Sequence, residues 1–546
     1  MRTNLAPLAA ALLLGAASPA TADLLVTNVK GVRATPDRKI ERFTGLLVGD
    51  DGKVKRVLNG ETFRLPAGTR VLNGGGRTLL PGLIDAHGHV MGYGMALGQL
   101  DLTGTRSLAE LQQRLRDYAA ANPTLPWIIG RGWNQELWAD KRFPTNADLD
   151  GIVKGRPVWL ERVDGHASVA NSAAMTAAGV TDATPAPNGG RIEQGLFTDA
   201  ATDLVARAIP APTPEMRREA LLRAQTALLS RGLTAVADMG TSPEEWAVMK
   251  GGVARGELSI RIMSYAAGGQ ALSALRRTEA RGWQANDRLG LLGVKLYADG
   301  ALGSRGAWLK APYADAPGVR GLPLLTPAQL RAEIKAAGPF QVAVHAIGDA
   351  ANAMVLSAYE ANGARVGDKR WRVEHAQILD VADLGRFARD RVIASMQPTH
   401  QTSDRLMAEA RLGPTRLGGA YAWQTIEKSG ARLALGSDFP VEDPAPFPGL
   451  AAAVSRQGLD DQPAGGWRPW EKLTLGQALA GFTRDAAWAG FAESKFGALE
   501  PGQWADFILV DRDPVAARPH DLARTKVQQT WIAGKMVWSV SPSGAK

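Results

Sequence analysis

A chain of 546 residues with no cysteine can bury a large core, but it has no disulfide, no thiolate-held zinc and no thiol nucleophile. Any metal must therefore rest on nitrogen and oxygen ligands. The formal charge of +9 is spread along the chain without a Lys/Arg run, which speaks against nucleic acid as a partner and modestly favours an anionic small-molecule substrate.

The first expected element is an export signal. Arg2 precedes an apolar run over residues 5–17, and Ala20-Thr21-Ala22 offers a small-x-small cleavage site. The run is too short for an ordinary membrane span. Residues 1–22 are expected to be removed, leaving a periplasmic or secreted protein that starts at Asp23 and keeps no stable membrane association. The alternative is an uncleaved N-terminal anchor. Residues 24–73 hold short strand-like runs such as Leu24-Leu25-Val26-Thr27, punctuated by turns such as Gly49-Asp50-Asp51-Gly52. Residues 505–510 and 530–538 read the same way near the other end.

From residue 78 onward, apolar strands alternate with helical stretches. The strands are expected at 78–84, 233–238, 260–266, 290–296, 340–345, 371–375, 392–396 and 431–436. Helices are expected at 215–231, between Thr213-Pro214 and Gly232, and at 326–337. Repeated βα units imply a parallel barrel with its active site at the C-terminal ends of the strands. One interval breaks the rhythm. An insertion over about 99–210, carrying Trp127, Trp133, Trp138 and Trp159, separates strand one from strand two. A segment so long must have structure of its own. It is expected to act as a lid, the alternative being a side domain away from the chemistry.

Few residues carry the chemistry. Gly82-Leu83-Ile84-Asp85-Ala86-His87-Gly88-His89 is an apolar strand that runs into two histidines at i and i+2, on the same side of the chain. Taken alone, such a pair is more often two polar residues in a turn. The chain, however, has only seven histidines. His345 ends the run Phe340-Gln341-Val342-Ala343-Val344, and His375 ends Trp371-Arg372-Val373-Glu374. Lys295 follows an apolar run ending at Val294, and Asp438 follows Leu433-Ala434-Leu435-Gly436-Ser437. Strand after strand ends in a group suited to a metal site, and the ordered set carries the weight.

In the order His87/His89, Lys295, His345, His375, Asp438, the chain resembles the amidohydrolase superfamily of metal-dependent hydrolases. That family places His-x-His after barrel strand one, Lys after four, His after five and six, and Asp after eight. Val294-Lys295-Leu296-Tyr297-Ala298-Asp299-Gly300-Ala301-Leu302-Gly303-Ser304-Arg305, Arg162-Val163-Asp164-Gly165-His166 and Gly130-Arg131-Gly132-Trp133 are similar to the branch containing N-substituted formamide deformylase. The resemblance implies an α/β fold. A (β/α)8 TIM-like barrel would span 78–490, with the large insertion after strand one. A small β-sandwich would be built from both chain ends, residues 23–77 and 491–546.

The resemblance also implies a cofactor. His87, His89 and Asp438 would hold one divalent ion, expected to be zinc. His345 and His375 would hold a second, and Lys295, as a carbamate formed with CO2, would bridge the two. The alternative is a single metal beside a Lys295 that pairs with Asp299 or a substrate anion. Asp438 would also pass a proton from the bridging water to the departing nitrogen, a general acid–base role. The implied reaction is hydrolysis by metal-bound hydroxide of a carbon–nitrogen bond other than a peptide bond, in an N-acyl or N-formyl amide. An esterase or lactonase would use the same residues. Deaminases of heterocycles in this superfamily typically use one metal and lack the strand-four lysine. A non-catalytic binding protein would have lost ligands.

The remaining candidates are less constrained. His166 would stabilise the oxyanion or contact substrate as a catalytic residue, or make a structural hydrogen bond. His400, after strand seven, is expected to line the pocket. Asp299 and Arg305 follow strand four, and Arg305 would bind a substrate carboxylate or pair with an acid. Trp133 would give the pocket an apolar wall, although tryptophans more often fill cores. His520 is expected at the surface. A homo-oligomer is compatible with the sequence.

Overall fold

The computed structural model describes residues 22–61, 64–162, 165, 167–187 and 190–540. The expected export signal, Ala22 excepted, and His166 lie outside the described residues. The chain divides into two compact units. The first takes in the described residues up to His89, Thr226–Trp246, and those from Val253 onward; the second is Val90–Gln225 with Ala247–Gly252.

In the first unit eight strands follow one another: β1 (Leu83–Gly88), β2 (Leu233–Thr241), β3 (Arg261–Ala267), β4 (Leu289–Tyr297), β5 (Gln341–Ala346), β6 (Arg372–His375), β7 (Ile393–Met396) and β8 (Leu433–Leu435). Each pairs in parallel with the next. Their apolar runs follow from this arrangement, because parallel barrel strands are buried on both faces. The circle nearly closes at the C-terminal ends of the strands. Gly88 bridges Phe439 in parallel, and the Asp438 N–H donates to the His87 carbonyl at 2.7 Å. Ala86, Ala237, Ala343 and Ala434 share one core with Met263, Tyr265 and Phe496. The expected (β/α)8 barrel is present.

Three helices of this unit bear on the site: α1 (Gly268–Leu275), α2 (Pro327–Ala337) and α3 (Pro398–Leu412). They follow β3, β4 and β7. The start of α2 is written locally. The Gln329 N–H donates to Thr326 Oγ1 at 3.2 Å, and the Thr326 N–H donates to Gln329 Oε1 at 2.9 Å, a closed capping box. Pro398 opens α3, where a missing N–H costs nothing.

Two further sheets in the first unit form the β-sandwich. One has the order Val54–Leu58, Gly45–Val48, Leu24–Thr27, Arg70–Asn73. The other runs Lys535–Ser539, Val527–Ile532, Phe507–Val510, Thr78–Pro81, Lys30–Ala34, Ile40–Phe43. Both chain ends meet in the second sheet, where Phe507–Val510 pairs antiparallel with Thr78–Pro81. Val26, Phe43, Leu46, Leu79, Phe507 and Trp531 belong to the core of the sandwich.

The expected strand at 78–84 is therefore two strands. Thr78–Pro81 lies in the sandwich, and β1 begins only at Leu83. A Cβ on Gly82 would sit 2.2 Å from Thr234 Oγ1, so the backbone passes β2 where no side chain fits. The apolar run is unbroken across this switch, and hydrophobic pattern alone does not reveal it.

The second unit has a mixed six-stranded sheet of its own, in the order Gly190–Glu193, Leu196–Asp199, Ala167–Ala170, Val158–Arg162, Ile128–Trp133, Leu100–Asp101. One core cluster contains Leu111, Ile128, Trp133, Trp138 and Leu160; another contains Trp127, Trp159 and Phe197.

Candidate metal centre

The C-terminal ends of β1, β4, β5, β6 and β8 bring six of the predicted groups together. His87 is fully buried at the end of β1. Its Nδ1 lies 2.6 Å from Glu374 Oε2. Glu374 is held ionised: burial opposes its charge, but the Arg372 guanidinium, at 2.7 Å from Oε1, outweighs that and keeps the carboxyl far below its usual range. Glu374 therefore accepts from His87 Nδ1–H. This fixes the tautomer and leaves the Nε2 lone pair free to bind. The same device recurs at His375, whose Nδ1 donates to Gln397 Oε1 at 2.9 Å.

Around His87 Nε2 the other groups converge. Lys295 Nζ lies 3.1 Å away and Asp438 Oδ1 3.4 Å. His89 Nε2 lies 3.2 Å from the same Asp438 oxygen. The His375 ring centroid is 4.8 Å from that of His87 and 4.6 Å from that of His345. Burial, then the nearby Lys295, depresses the pKa of His87 to about 4 and that of His345 to about 3. His375 is pushed well below the usual histidine range by burial and by His345. Imidazoles held neutral in this way keep lone pairs available as ligands. Burial works against the Asp438 carboxylate, but His87 and His89 outweigh it and hold its pKa at about 2.

The backbone around these groups is under constraint. His375 and Asp438 adopt left-handed φ values of 72° and 63°. Such conformations persist where the surroundings over-determine them, often at functional sites. Asp85 ties the two ends of the barrel. Its carboxylate accepts the His87 N–H at 3.0 Å and the Ser437 hydroxyl at 2.6 Å.

The donor set suits a divalent cation. His87, His89 and Asp438 place one ligand atom each within 4.8 Å of one another, and His375, His400 and Asp438 do the same. His345 Nε2 and His400 Nε2 are buried with no hydrogen-bond partner among the described residues. Buried polar atoms left without partners are costly unless something else engages them. Neutral imidazoles with a carboxylate match first-row metals.

The sequence pattern of the amidohydrolase family matches residues 70–538. The chain belongs to the amidohydrolase family. This amidohydrolase is 34% identical over 541 residues to the protein LONG AFTER FAR-RED 3 of Arabidopsis thaliana, covering 95% of this chain and 92% of the relative. It is 26% identical over 501 residues to N-substituted formamide deformylase of Arthrobacter pascens, covering 85% of this chain and 89% of that one. Among solved structures, a metal-dependent hydrolase of Pyrococcus horikoshii superposes with a TM-score of 0.79 at 27% identity, covering 91% of this chain and 99% of the other. The family and its structural relatives make this chain a metal-dependent hydrolase.

The remaining candidates fall in different places. His400, on the first turn of α3, stacks on His375 with ring centroids 6.0 Å apart, and its Nε2 lies 3.9 Å from Asp438 Oδ2. Asp299 is buried, and its carboxylate accepts the N–H groups of Ile347, Gly348 and Trp308 at 2.8–3.0 Å. In this amidohydrolase Asp299 thus ties together the loops after β4 and β5, and it makes no ion pair with Lys295. Arg305 pairs with Asp315 at 2.9 Å, the acid-pairing alternative for this residue. The expectation that Trp133 forms a pocket wall is corrected. Its ring is fully buried in the second unit's core and its Nε1–H donates to the Leu160 carbonyl at 2.8 Å, so both its apolar area and its polar handle are already used. His520 pairs with Asp461 at 2.9 Å on an exposed surface.

Glu374, Arg372, Gln397 and Asp85 were not anticipated. A signal for the first two was present. Arg372-Val373-Glu374-His375 sets two opposite charges at i and i+2 inside a barrel strand, where charges are buried only in pairs.

Proposed function

We propose that this amidohydrolase hydrolyses a carbon–nitrogen bond other than a peptide bond, in an N-acyl or N-formyl amide, with two divalent cations, preferably zinc. One observation carries the reading: Lys295 Nζ is buried 3.1 Å from His87 Nε2, with no carboxylate oxygen within 4.0 Å among the described residues. A buried ammonium that no carboxylate pairs with directly is costly, even with Glu374 and Asp438 nearby. Burial brings the Lys295 pKa down to about 8, which leaves part of it as neutral amine. That amine can add CO2. A nitrogen–carbon bond forms, one proton leaves, and the product is a carbamate anion.

His87, His89 and Asp438 would hold one cation, and His345 and His375 the other, with the Lys295 carbamate as a ligand common to both. Such cations supply Lewis acidity toward the scissile carbonyl and acidify water. Asp438, ionised at neutral pH, accepts a proton from the attacking water and delivers it to the departing nitrogen. Glu374 and Gln397 keep His87 and His375 in the tautomer that ligates. A nitrogen leaving group needs that proton more than an alkoxide does, which favours amides over esters. Kinship with N-substituted formamide deformylase makes N-formyl amides the first substrates to try. The Arg2, apolar run and Ala20-Thr21-Ala22 pattern supports a periplasmic setting.

The test is a matched panel of N-formyl and N-acyl amides with their ester counterparts, given to metal-loaded protein. Amide turnover that is lost on chelation and restored by added cation is the expected result. Turnover of the esters with none of the amides would overturn the amide reading.

A further inference from the structure

A cavity of about 440 Å³ in the first unit is lined by His89 and Lys295 of the metal centre, by the apolar Leu296, Leu324 and Leu325, and by Glu333. Glu333 lies on α2, two turns from its capping box, and is half-buried. Its carboxylate has no hydrogen-bond or ion-pair partner among the described residues. Its placement depends on a glycine of α1. A Cβ on Gly269 would lie 2.3 Å from Glu333 Oε2, so the carboxylate rests against the backbone of that helix's first turn. A helix N-terminus favours a negative charge. The cavity thus joins the metal centre to an apolar wall and to one unpaired carboxylate.

We infer that this cavity selects amide substrates that carry a cationic group, an ammonium on an apolar stem, whose charge pairs with Glu333 while the amide sits at the metal centre. The inference rests on the amide reading above and names its substrate class. The apolar stem lies along Leu296, Leu324 and Leu325, where burial of each methylene adds to binding. An anionic substituent in the same place meets like charge and is rejected.

The test uses metal-loaded protein and isosteric N-acyl amides ending in an ammonium, a methyl or a carboxylate, with the end group placed on the acyl side in one series and on the amine side in another. The wild type is expected to prefer the ammonium over the methyl compound by roughly fivefold in kcat/KM, the upper range for a pair that keeps some solvent. Glu333→Gln should bring that ratio close to one, and Glu333→Lys should invert it in favour of the carboxylate. Calorimetric binding of the same compounds reads the preference without turnover. If no amide is hydrolysed, the amide reading fails, and the binding series still decides the role of Glu333. An ammonium-to-methyl ratio that is the same in wild type and in both variants would overturn the inference.

Discussion

His87 Nδ1 and Glu374 Oε2 lie 2.6 Å apart, and both side chains are fully buried. The carboxylate takes its charge balance from Arg372, which also donates to the Ala86 carbonyl at 2.6 Å and to Ser395 Oγ at 2.7 Å. One ion pair inside the barrel thus orients His87 on β1 from residues on β6. Partners of this kind usually contribute about 10–100-fold to metal affinity. Glu374→Gln is expected to weaken cation binding by that margin, read by competition with a chelator. It also leaves Arg372 buried without its counter-charge, at a cost of about 3–5 kcal/mol, so the melting temperature should fall as well. Unchanged affinity in folded variant protein would remove Glu374 from this role.

The proposed reaction gives the Asp438 carboxylate two tasks, and a substitution can separate them. Asp438→Asn keeps an oxygen beside His87 and His89 but cannot carry a proton. Its kcat is expected to fall by about 10²-fold or more at matched metal occupancy. Wild-type turnover at equal occupancy would show that the proton travels by another route.

For Lys295 the expected wild-type composition is two cations per chain and a mass increment of one CO2. Lys295→Ala should lose at least one cation and most activity. A short carboxylic acid at millimolar concentration is expected to restore part of both by occupying the vacated position. An unmodified lysine beside a single cation in fully active protein would decide for the one-metal alternative.

Gly436 tests the seam where β8 meets β1. A Cβ there would lie 2.4 Å from Asp85 Oδ1 and 2.6 Å from the His87 nitrogen. Neither atom can yield without moving His87 or the Ser437 bonds. Gly436→Ala is expected to destabilise by about 1–3 kcal/mol, the usual range for overpacking, and to weaken cation binding at the same time. Thermal unfolding with and without added cation reads both effects. A variant with the wild-type melting temperature in both conditions would mean that the seam relaxes freely.

Trp133→Ala probes the second unit by itself. Its ring is fully buried there, and removing such a group costs about 3–5 kcal/mol. Proteolysis within Val90–Gln225 should accelerate in the variant. Equal cleavage rates in the two proteins would argue against a core role for this ring.

What the sequence determined by itself is local. Alternation along a strand sets His87 and His89 on one side, and the endings of apolar runs mark Lys295, His345, His375 and Asp438. The βα rhythm announces the barrel, and Thr326 with Gln329 announces the start of α2. Each of these depends on residues a few positions apart, so one-dimensional pattern suffices. Tertiary structure decided the rest. It split the run 78–84 between two sheets at Gly82, turned Asp299 toward three backbone N–H groups, buried Trp133 and brought Glu374 to His87 across 287 positions of chain. The reason is physical. Whether a carboxylate meets an imidazole, a guanidinium or a backbone amide depends on which distant strand folds beside it, and burial then fixes both its charge and its partner.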